Sequence, residues 1–181
     1  MERNLMVAGF GGQGVMTLGK FLAEAACDST DKNVTFFPSY GAEQRGGTAN
    51  CYVVISDEPI GAPLGDVMDD LIVMNGPSLA KFLGRLKAGG NLFINSSIVS
   101  DDIGRDDVKV VRVPVTEMAL DMGSAKVLNI IMLGVYVGYT QVVPEDVVWR
   151  TIEHKLGKKP ALLPLNRQAF ELGLKLGREQ R

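Results

Sequence analysis

Residues 5–15 of the chain read LMVAGFGGQGV. The four apolar residues at the start predict a buried strand, and the glycines after them predict a tight turn. Val15, Leu18 and Leu22 then recur at the spacing of one helix face, which predicts a helix over residues 15–27. The stretch therefore predicts the strand–turn–helix unit with which Rossmann-like α/β folds begin.

The rest of the chain repeats this alternation. Further strands are predicted at residues 34–37, 49–56, 71–74, 91–95 and 108–113, and helices at 77–86, 125–139, 166–177 and from Thr116 and Pro144. Pro38 is expected to end the second strand, and Gly89-Gly90 to form a turn. The strand at 49–56 follows the second strand after only a loop, so it is expected to be antiparallel. The alternation predicts a single three-layer α/β/α domain over residues 1–181, with a largely parallel, mixed sheet.

Composition excludes several classes of protein. Of the 181 residues, 46% are hydrophobic and 22% charged, as in a folded domain, and the net charge of −2 differs from the basic character of nucleic-acid binders. No long apolar segment follows Met1, so no signal peptide is predicted and the cytoplasm is the expected location. The apolar stretch at 127–143 is short and interrupted, which favours a buried helix over a membrane span.

Residues suited to metal or redox chemistry are scarce. Cys27 and Cys51 are the only cysteines, too few for an iron–sulfur cluster or a zinc site in this chain alone, and both are expected to be reduced, buried thiols. His154, the only histidine, lies among charged residues and is expected at the surface. No catalytic residue and no metal ligand is predicted. A solvated turn is expected for the acidic residues Asp66, Asp69 and Asp70.

The glycine loop is a candidate anion site. It precedes a helix whose first N–H groups lack partners, an arrangement that favours phosphate. The spacing also fits the dinucleotide fingerprint G-x-G-x-x-G, but that site needs an acidic residue at the end of the second strand, where Phe37, Pro38 and Ser39 stand. NAD and FAD are therefore disfavoured, whereas a phosphate-bearing ligand, a subunit contact and plain packing stay open. The candidate binding residues of the loop are Gly9, Gly11, Gly12, Gln13 and Gly14.

A second glycine-flanked loop is too polar for a protein core. Loops that follow a strand in a doubly wound sheet border the ligand crevice and often carry function. Arg45 suits a phosphate or carboxylate, or an ion pair with Glu43, and Tyr40 suits stacking or plain packing. The candidate residues of this loop are Ser39, Tyr40, Glu43, Gln44, Arg45, Gly46 and Gly47.

Together the two loops resemble the gamma subunit, or the equivalent domain, of the 2-oxoacid:ferredoxin oxidoreductases. The resemblance covers essentially the whole chain. The two loops indicate this family only in combination, because the glycine loop alone is not specific to it. It is carried by residues 9–14 and 38–47, and the segments 70–75, 113–119, 129–134 and 166–170 fit the same family.

The resemblance implies a reaction shared among several chains. A 2-oxoacid is decarboxylated on thiamine diphosphate, electrons pass through iron–sulfur clusters to ferredoxin, and the acyl group goes to coenzyme A. Thiamine diphosphate and magnesium are expected in the alpha and beta subunits, and the clusters in the beta or delta subunit. This chain is expected to support assembly, and its glycine loop to border the coenzyme A region.

The resemblance leaves the substrate and the role of the loop open. The expected substrate is 2-oxoglutarate, with pyruvate and branched-chain 2-oxoacids or indolepyruvate as alternatives. A stand-alone dinucleotide-binding oxidoreductase is a different hypothesis, which the missing ribose acid weakens. A structural assembly module with an empty glycine loop is a third.

Overall fold

The fold was obtained as a computed structural model, which describes residues 1–40, 48–100 and 102–181. Within these residues lies a six-stranded sheet in the order β2-β3-β1-β4-β5-β6. The apolar runs that predicted strands therefore all lie in one sheet. Its strands, in chain order, are β1 (Glu2–Phe10), β2 (Asn33–Tyr40), β3 (Thr48–Ser56), β4 (Met68–Val73), β5 (Leu86–Asn95) and β6 (Lys109–Val113).

The sheet is parallel except at β3. Strands β1, β4, β5 and β6 are parallel neighbours, whereas β3 pairs antiparallel with both β1 and β2. Parallel neighbours need a crossover of a dozen or so residues, and only residues 41–47 separate β2 from β3. The predicted antiparallel strand and the largely parallel, mixed sheet are confirmed.

Helices cover the two faces of the sheet unequally. Leu5 and Val7 of β1 point into a large core built mainly with helices, whereas Met6 and Ala8 point into a smaller core on the other face. The large core lies under α1, α3, α4, α5 and α6, and the smaller one lies under α2 and residues that follow the ends of α2 and β5. The layers and the first βα unit are as predicted. The helices are α1 (Val15–Ser29), α2 (Gly76–Phe82), α3 (Val115–Asp121), α4 (Leu128–Thr140), α5 (Glu145–Leu156) and α6 (Leu163–Glu179).

Helix α4 lies at the centre of the large core. It is buried from Leu128 to Gly138, so most of the apolar stretch at 127–143 forms a buried helix, as predicted. No helix within the described ranges is long and apolar enough to cross a membrane.

Helices α4 and α6 are in contact through their backbones. A Cβ atom added at Gly134 of α4 would lie 2.5 Å from the carbonyl oxygen of Phe170 in α6. A Cβ atom added at Gly173 of α6 would fall on the carbonyl oxygen of Ile131. Neither oxygen belongs to a side chain that can turn away, so any larger residue would push the helices apart.

Two predictions about local chain geometry are wrong. Pro38 does not end β2, which continues to Tyr40. A proline is tolerated there because β2 is an edge strand with a sheet partner on one side only. Gly89-Gly90 is not a turn but part of β5, where the pairing with β4 shifts register before Asn91. Gly89 has a φ of 76°, so glycine allows this bulge.

Asp69 and Asp70 lie in β4, and the solvated turn predicted for them is wrong. Asp70 is fully buried. Its Oδ2 accepts hydrogen bonds from Nε of Arg3 at 2.5 Å and from the Tyr136 hydroxyl at 2.8 Å. Its Oδ1 accepts from Nη2 of Arg3 at 3.1 Å and from Nδ2 of Asn91 at 2.7 Å. These partners on β1, β5 and α4 satisfy a charge that would otherwise be costly to bury.

The network also keeps its donors protonated. Burial by itself would lower the pKa of Arg3, but the hydrogen bonds and charge of Asp70 outweigh it and raise that pKa above its ordinary value. Burial raises the pKa of the Tyr136 hydroxyl well above its usual range, and the negative charge of Asp70 raises it further. Both groups therefore remain donors to the carboxylate.

The two cysteines differ in their surroundings. Both are free thiols. Cys51 is buried, as predicted, and burial raises the pKa of its thiol to about 12. Cys27 is exposed near the end of α1, so its predicted burial is wrong, because it lies off the apolar face of that helix. His154 is exposed on α5, in agreement with prediction.

Replacing Asp70 by Asn is expected to lower the free energy of unfolding by about 3 kcal/mol, because Arg3 loses its counter-charge inside the protein. Urea denaturation of the purified chain measures this change. The control is Glu171→Gln, which removes an exposed ion pair with Arg167 and is expected to cost at most about 0.5 kcal/mol. Equal effects of the two substitutions would contradict a stabilising role for the buried network.

Candidate functional site

The candidate site lies at the edge of the sheet where the parallel strands end. β1 leads through the glycine loop to α1 on one face, and its parallel neighbour β4 leads to α2 on the other face. Where adjacent parallel strands send their connections to opposite faces, a crevice opens, and ligands of α/β proteins bind there. The glycine loop stands at this position.

Two glycines of the loop are required by close packing. A Cβ atom at Gly9 would lie 2.6 Å from Oε1 of Gln13 and 2.8 Å from Cβ of Met74. Gly14 has a φ of 71° and packs against the side chain of Asn129 in α4, whose Nδ2 donates to the Gly14 carbonyl at 3.3 Å. Gly9 and Gly14 therefore serve the fold, whether or not a ligand binds nearby.

The other two glycines leave open space. Gly11 and Gly12 are exposed, and a Cβ atom at either would meet no atom within 4 Å. Gly12 has a φ of 90°, which glycine adopts without strain. Among the described residues no side chain caps α1, and its first turn contains no acidic residue. The positive end of this 15-residue helix therefore has no negative charge from its own first turn to balance it. This part of the loop can admit an anion to the backbone.

Gln13 holds the loop in place. Its Oε1 accepts from the Phe10 amide at 2.7 Å, and its Nε2 donates to the Met74 carbonyl at 3.0 Å, beyond the end of β4. Both ends of the side-chain amide are engaged within the protein. The structure thus gives Gln13 a positioning role, and its contact with a cofactor stays a prediction.

The stems of the second loop lie at the same edge of the sheet. Phe10 at the end of β1 is opposite Thr48 of β3, and Tyr40 at the end of β2 is opposite Ala49. Ser39 is half-buried, and the Tyr40 side chain is 75% exposed. The structure thus brings the stems of the two loops together. The remaining candidates of this loop lie outside the described residues: Glu43, Gln44, Arg45, Gly46 and Gly47.

The position of β3 separates this sheet from a dinucleotide-binding one. In dinucleotide-binding folds the second strand pairs directly with the first, and an acid at its end holds the ribose. Here β3 lies between β1 and β2 and runs the other way. The β3 residues nearest the glycine loop, Thr48, Ala49 and Asn50, include no acid.

Sequence reasoning missed a group of buried polar residues at this edge. Asn75 follows β4, and its Oδ1 accepts from the Ser78 amide at 2.9 Å, which caps α2. Asn95 ends β5, and its Nδ2 donates to Oγ1 of Thr116 at 2.9 Å. Asn75, Ser78 and Asn95 are fully buried. The signal in the sequence is an asparagine at the end of an apolar run, as with Asn75 after residues 71–74 and Asn95 at the end of residues 91–95.

Comparison with known proteins decides the family. The sequence model for pyruvate ferredoxin/flavodoxin oxidoreductase matches residues 4–176. The chain belongs to this family. The resemblance that the two loops carry is thereby confirmed.

The curated relatives of this family member fall into two length classes. The ketoisovalerate oxidoreductase subunit VorA of Methanothermobacter thermautotrophicus is 38% identical over 98% of the chain, which spans only 37% of that protein's length. The 2-oxoglutarate synthase subunit KorC of Methanocaldococcus jannaschii is 31% identical over 99% of the chain and 96% of its own length. Relatives with different named substrates thus share this domain.

Solved structures agree with the fold. A keto/oxoacid ferredoxin oxidoreductase gamma subunit from Geobacter sulfurreducens superposes with a TM-score of 0.88 at 28% identity, over 99% of this chain and 98% of that one. A 2-oxoglutarate:ferredoxin oxidoreductase from Magnetococcus marinus, with 2-oxoglutarate, coenzyme A and succinyl-CoA bound, gives 0.90 at 26% identity, over 98% of this chain and 31% of that one.

Replacing Gln13 by Glu is expected to lower the free energy of unfolding by about 1–3 kcal/mol, because a carboxylate cannot donate to the Met74 carbonyl. Chemical denaturation measures the loss. Gln168→Glu on the exposed face of α6 is the matched control and is expected to change stability by less than about 0.5 kcal/mol. A loss no larger than in the control would contradict the positioning role.

Proposed function

We propose that residues 1–181 form the gamma-type unit of a 2-oxoacid:ferredoxin oxidoreductase complex. The observation that carries the proposal is the family match over residues 4–176, together with a superposition that covers almost all of a gamma subunit. The chain would act in the cytoplasm with alpha, beta and delta subunits, and ferredoxin would accept the electrons.

The residues of this chain do not fit the redox groups of such a complex. A cluster of the usual kind needs four thiolates, and the whole sequence has two cysteines, one exposed on α1 and one buried in β3. Among the described residues no three metal-ligating side chains come together. We therefore assign the iron–sulfur clusters to partner subunits, and we assign thiamine diphosphate and magnesium to them by the family resemblance; no catalytic residue is assigned here.

The role proposed for this chain is to assemble with its partners and to hold an anionic part of coenzyme A. The open space at Gly11 and Gly12 and the unmatched N-terminus of α1 support it, because a diphosphate there would meet backbone N–H groups. Gln13 and Asn129 would fix the loop in advance, so that binding costs little ordering.

The substrate within the 2-oxoacid class is proposed to be 2-oxoglutarate. Relatives named KorC from two organisms match at 31% and 32% identity over nearly the whole of this chain. Ketoisovalerate is the second candidate, favoured by the higher identity to VorA. A stand-alone dinucleotide-binding oxidoreductase is disfavoured, because β3 occupies the place next to β1 where the acid-bearing strand would lie.

A tagged form of the chain, expressed with its neighbouring subunits, is expected to copurify with them as a complex that reduces ferredoxin. Reduction should require both coenzyme A and a 2-oxoacid, with 2-oxoglutarate giving a higher kcat/KM than 2-oxoisovalerate or pyruvate. A preference for 2-oxoisovalerate would contradict the proposed substrate but would leave the proposed function, a subunit of a 2-oxoacid:ferredoxin oxidoreductase, in place. A chain that purifies alone, with no coenzyme A-dependent ferredoxin reduction, would contradict the function.

Gly11→Leu is expected to weaken coenzyme A binding to the assembled complex about tenfold, because the side chain fills the approach to the loop amides. Gly11 suits this test better than Gly12, whose positive φ would strain any replacement. Isothermal titration measures the affinity. The control is Gly84→Leu, since Gly84 is also exposed with open space around it but precedes β5 at the opposite edge of the sheet.

Intact assembly with equal coenzyme A affinity in both variants would contradict the ligand role of the loop. The membership of the chain in the complex would be unaffected by that result.

A further inference from the structure

Residues 156–165 join α5 to α6 and read LGKKPALLPL. The outer side of this segment is apolar as well as basic. Pro160, Ala161 and Pro164 are exposed, and Leu162 is 42% exposed. Apolar residues that cluster at a protein surface mark interaction sites, whereas single ones carry no such meaning. The segment is therefore a candidate contact surface.

A cavity of about 180 Å³ opens beside Leu162, between α1, α4 and α6. Its lining includes the buried apolar residues Phe21 and Ile130 and the exposed residues Thr17 and Lys126. An apolar cavity of roughly 150 Å³ can hold one benzene molecule. The cavity beside Leu162 therefore has room for one leucine or phenylalanine side chain.

We refer to residues 156–165, together with Thr17 and Lys126, as the link surface. Its three lysines, Lys126, Lys158 and Lys159, are exposed, and it contains no acidic residue. None of these lysines forms an ion pair with a residue in the described ranges. An acidic partner would therefore meet their ammonium groups without displacing a carboxylate.

Backbone hydrogen bonds hold the basic part of the link surface beside the cavity. The Lys159 N–H donates to the Leu156 carbonyl at 2.8 Å, and the Lys159 carbonyl accepts from the Leu162 N–H at 3.0 Å. Both leucines line the cavity. The backbone that carries the two adjacent lysines is thus fixed between two residues of the cavity wall.

Two acidic residues border the link surface on α1 and α5. Glu24 of α1 pairs with Lys155 at 3.0 Å and with Lys20 at 3.9 Å, so neighbouring lysines already balance its charge. Glu153 is exposed on α5. One such acid beside three unpaired lysines leaves an excess of positive charge.

We propose that the link surface docks a partner subunit of the complex, through an acidic patch on the partner that carries one protruding leucine or phenylalanine. The apolar side chain would fill the cavity and the acidic groups would face the lysines around it, as a buried anchor inside a charged rim. A second copy of this chain is a poor occupant, because two link surfaces would oppose lysine to lysine. The inference rests on the proposed function, since it requires partner subunits, but it uses no residue of the glycine loop.

Hydrogen–deuterium exchange locates the contact. The free chain is compared with the same chain in the assembled complex, and peptides that cover residues 156–165 are expected to exchange at least about tenfold more slowly in the complex. The physical reason is that a docked partner excludes water from amides that are exposed in the free chain.

A competition experiment tests the charge. The parent chain and a variant are expressed together with the same partner subunits, one of which carries a tag, and mass spectrometry measures the share of each form in the purified complex. The double substitution Lys158→Glu, Lys159→Glu is expected to lower the share of the variant about tenfold, because repulsion replaces attraction. Lys109→Glu, at an exposed lysine of β6, is the control and is expected to keep an equal share.

The same competition tests the apolar anchor. Thr17→Phe, which fills the entrance to the cavity, and Leu162→Asp are each expected to lose about tenfold. Leu120→Asp is the control, at a leucine of α3 that is 58% exposed. All three residues are exposed, so thermal melts of the free variants should match that of the parent chain.

Several results would overturn the proposal. Unchanged exchange at residues 156–165 in an assembled complex would do so, as would equal shares for the double lysine variant and its control, and both would leave the proposed function in place. Exchange slowed by phosphatidylserine vesicles but not by the partner subunits would assign the surface to a membrane instead. A chain that forms no complex at all would contradict the proposed function and this proposal with it.

Discussion

The buried carboxylate of Asp70 is the interaction on which the packing of this domain depends. A charged carboxylate without access to water is stable only when its oxygens accept hydrogen bonds. The oxygens of Asp70 accept them from donors on β1, β5 and α4. Three elements must therefore be in register with β4 before the charge can be buried. Tyr136 also packs edge-on against Phe93 of β5, with the ring centroids 5.3 Å apart, which fixes α4 over the sheet.

The positions of α6 and of the candidate site depend in turn on the position of α4. The glycines of α4 and α6 bring the two backbones into contact, so the position of α6 follows from that of α4. At its other end α4 presents Asn129 to Gly14, while Gln13 joins the loop to the end of β4. The loop is thus held from two sides, and only Gly11 and Gly12 remain open to a ligand.

The same glycine spacing has a different setting here than in dinucleotide-binding proteins. Two glycines are explained by packing against Met74 and Asn129, and the antiparallel β3 stands beside β1 where the ribose-binding strand would be. What is left of the fingerprint is an open stretch of backbone that can admit an anion, and the described residues of β3 beside it include no acid to hold a ribose. This agrees with the proposed role of the chain, which is to contribute one part of a site shared with partner subunits.

The sequence by itself determined the succession of strands and helices along the chain, the reversed strand at 49–56, the buried helix within 127–143 and, through the two loops, the family. These features depend on local periodicity and short connections, which neighbouring residues specify. Only the tertiary structure decided that Asp70 is buried, that Cys27 is exposed, that β2 passes through Pro38, and that the four loop glycines divide into packed and open pairs. Each of these depends on residues far away in the chain or on the position of a strand in the sheet, and a local pattern carries no information about either.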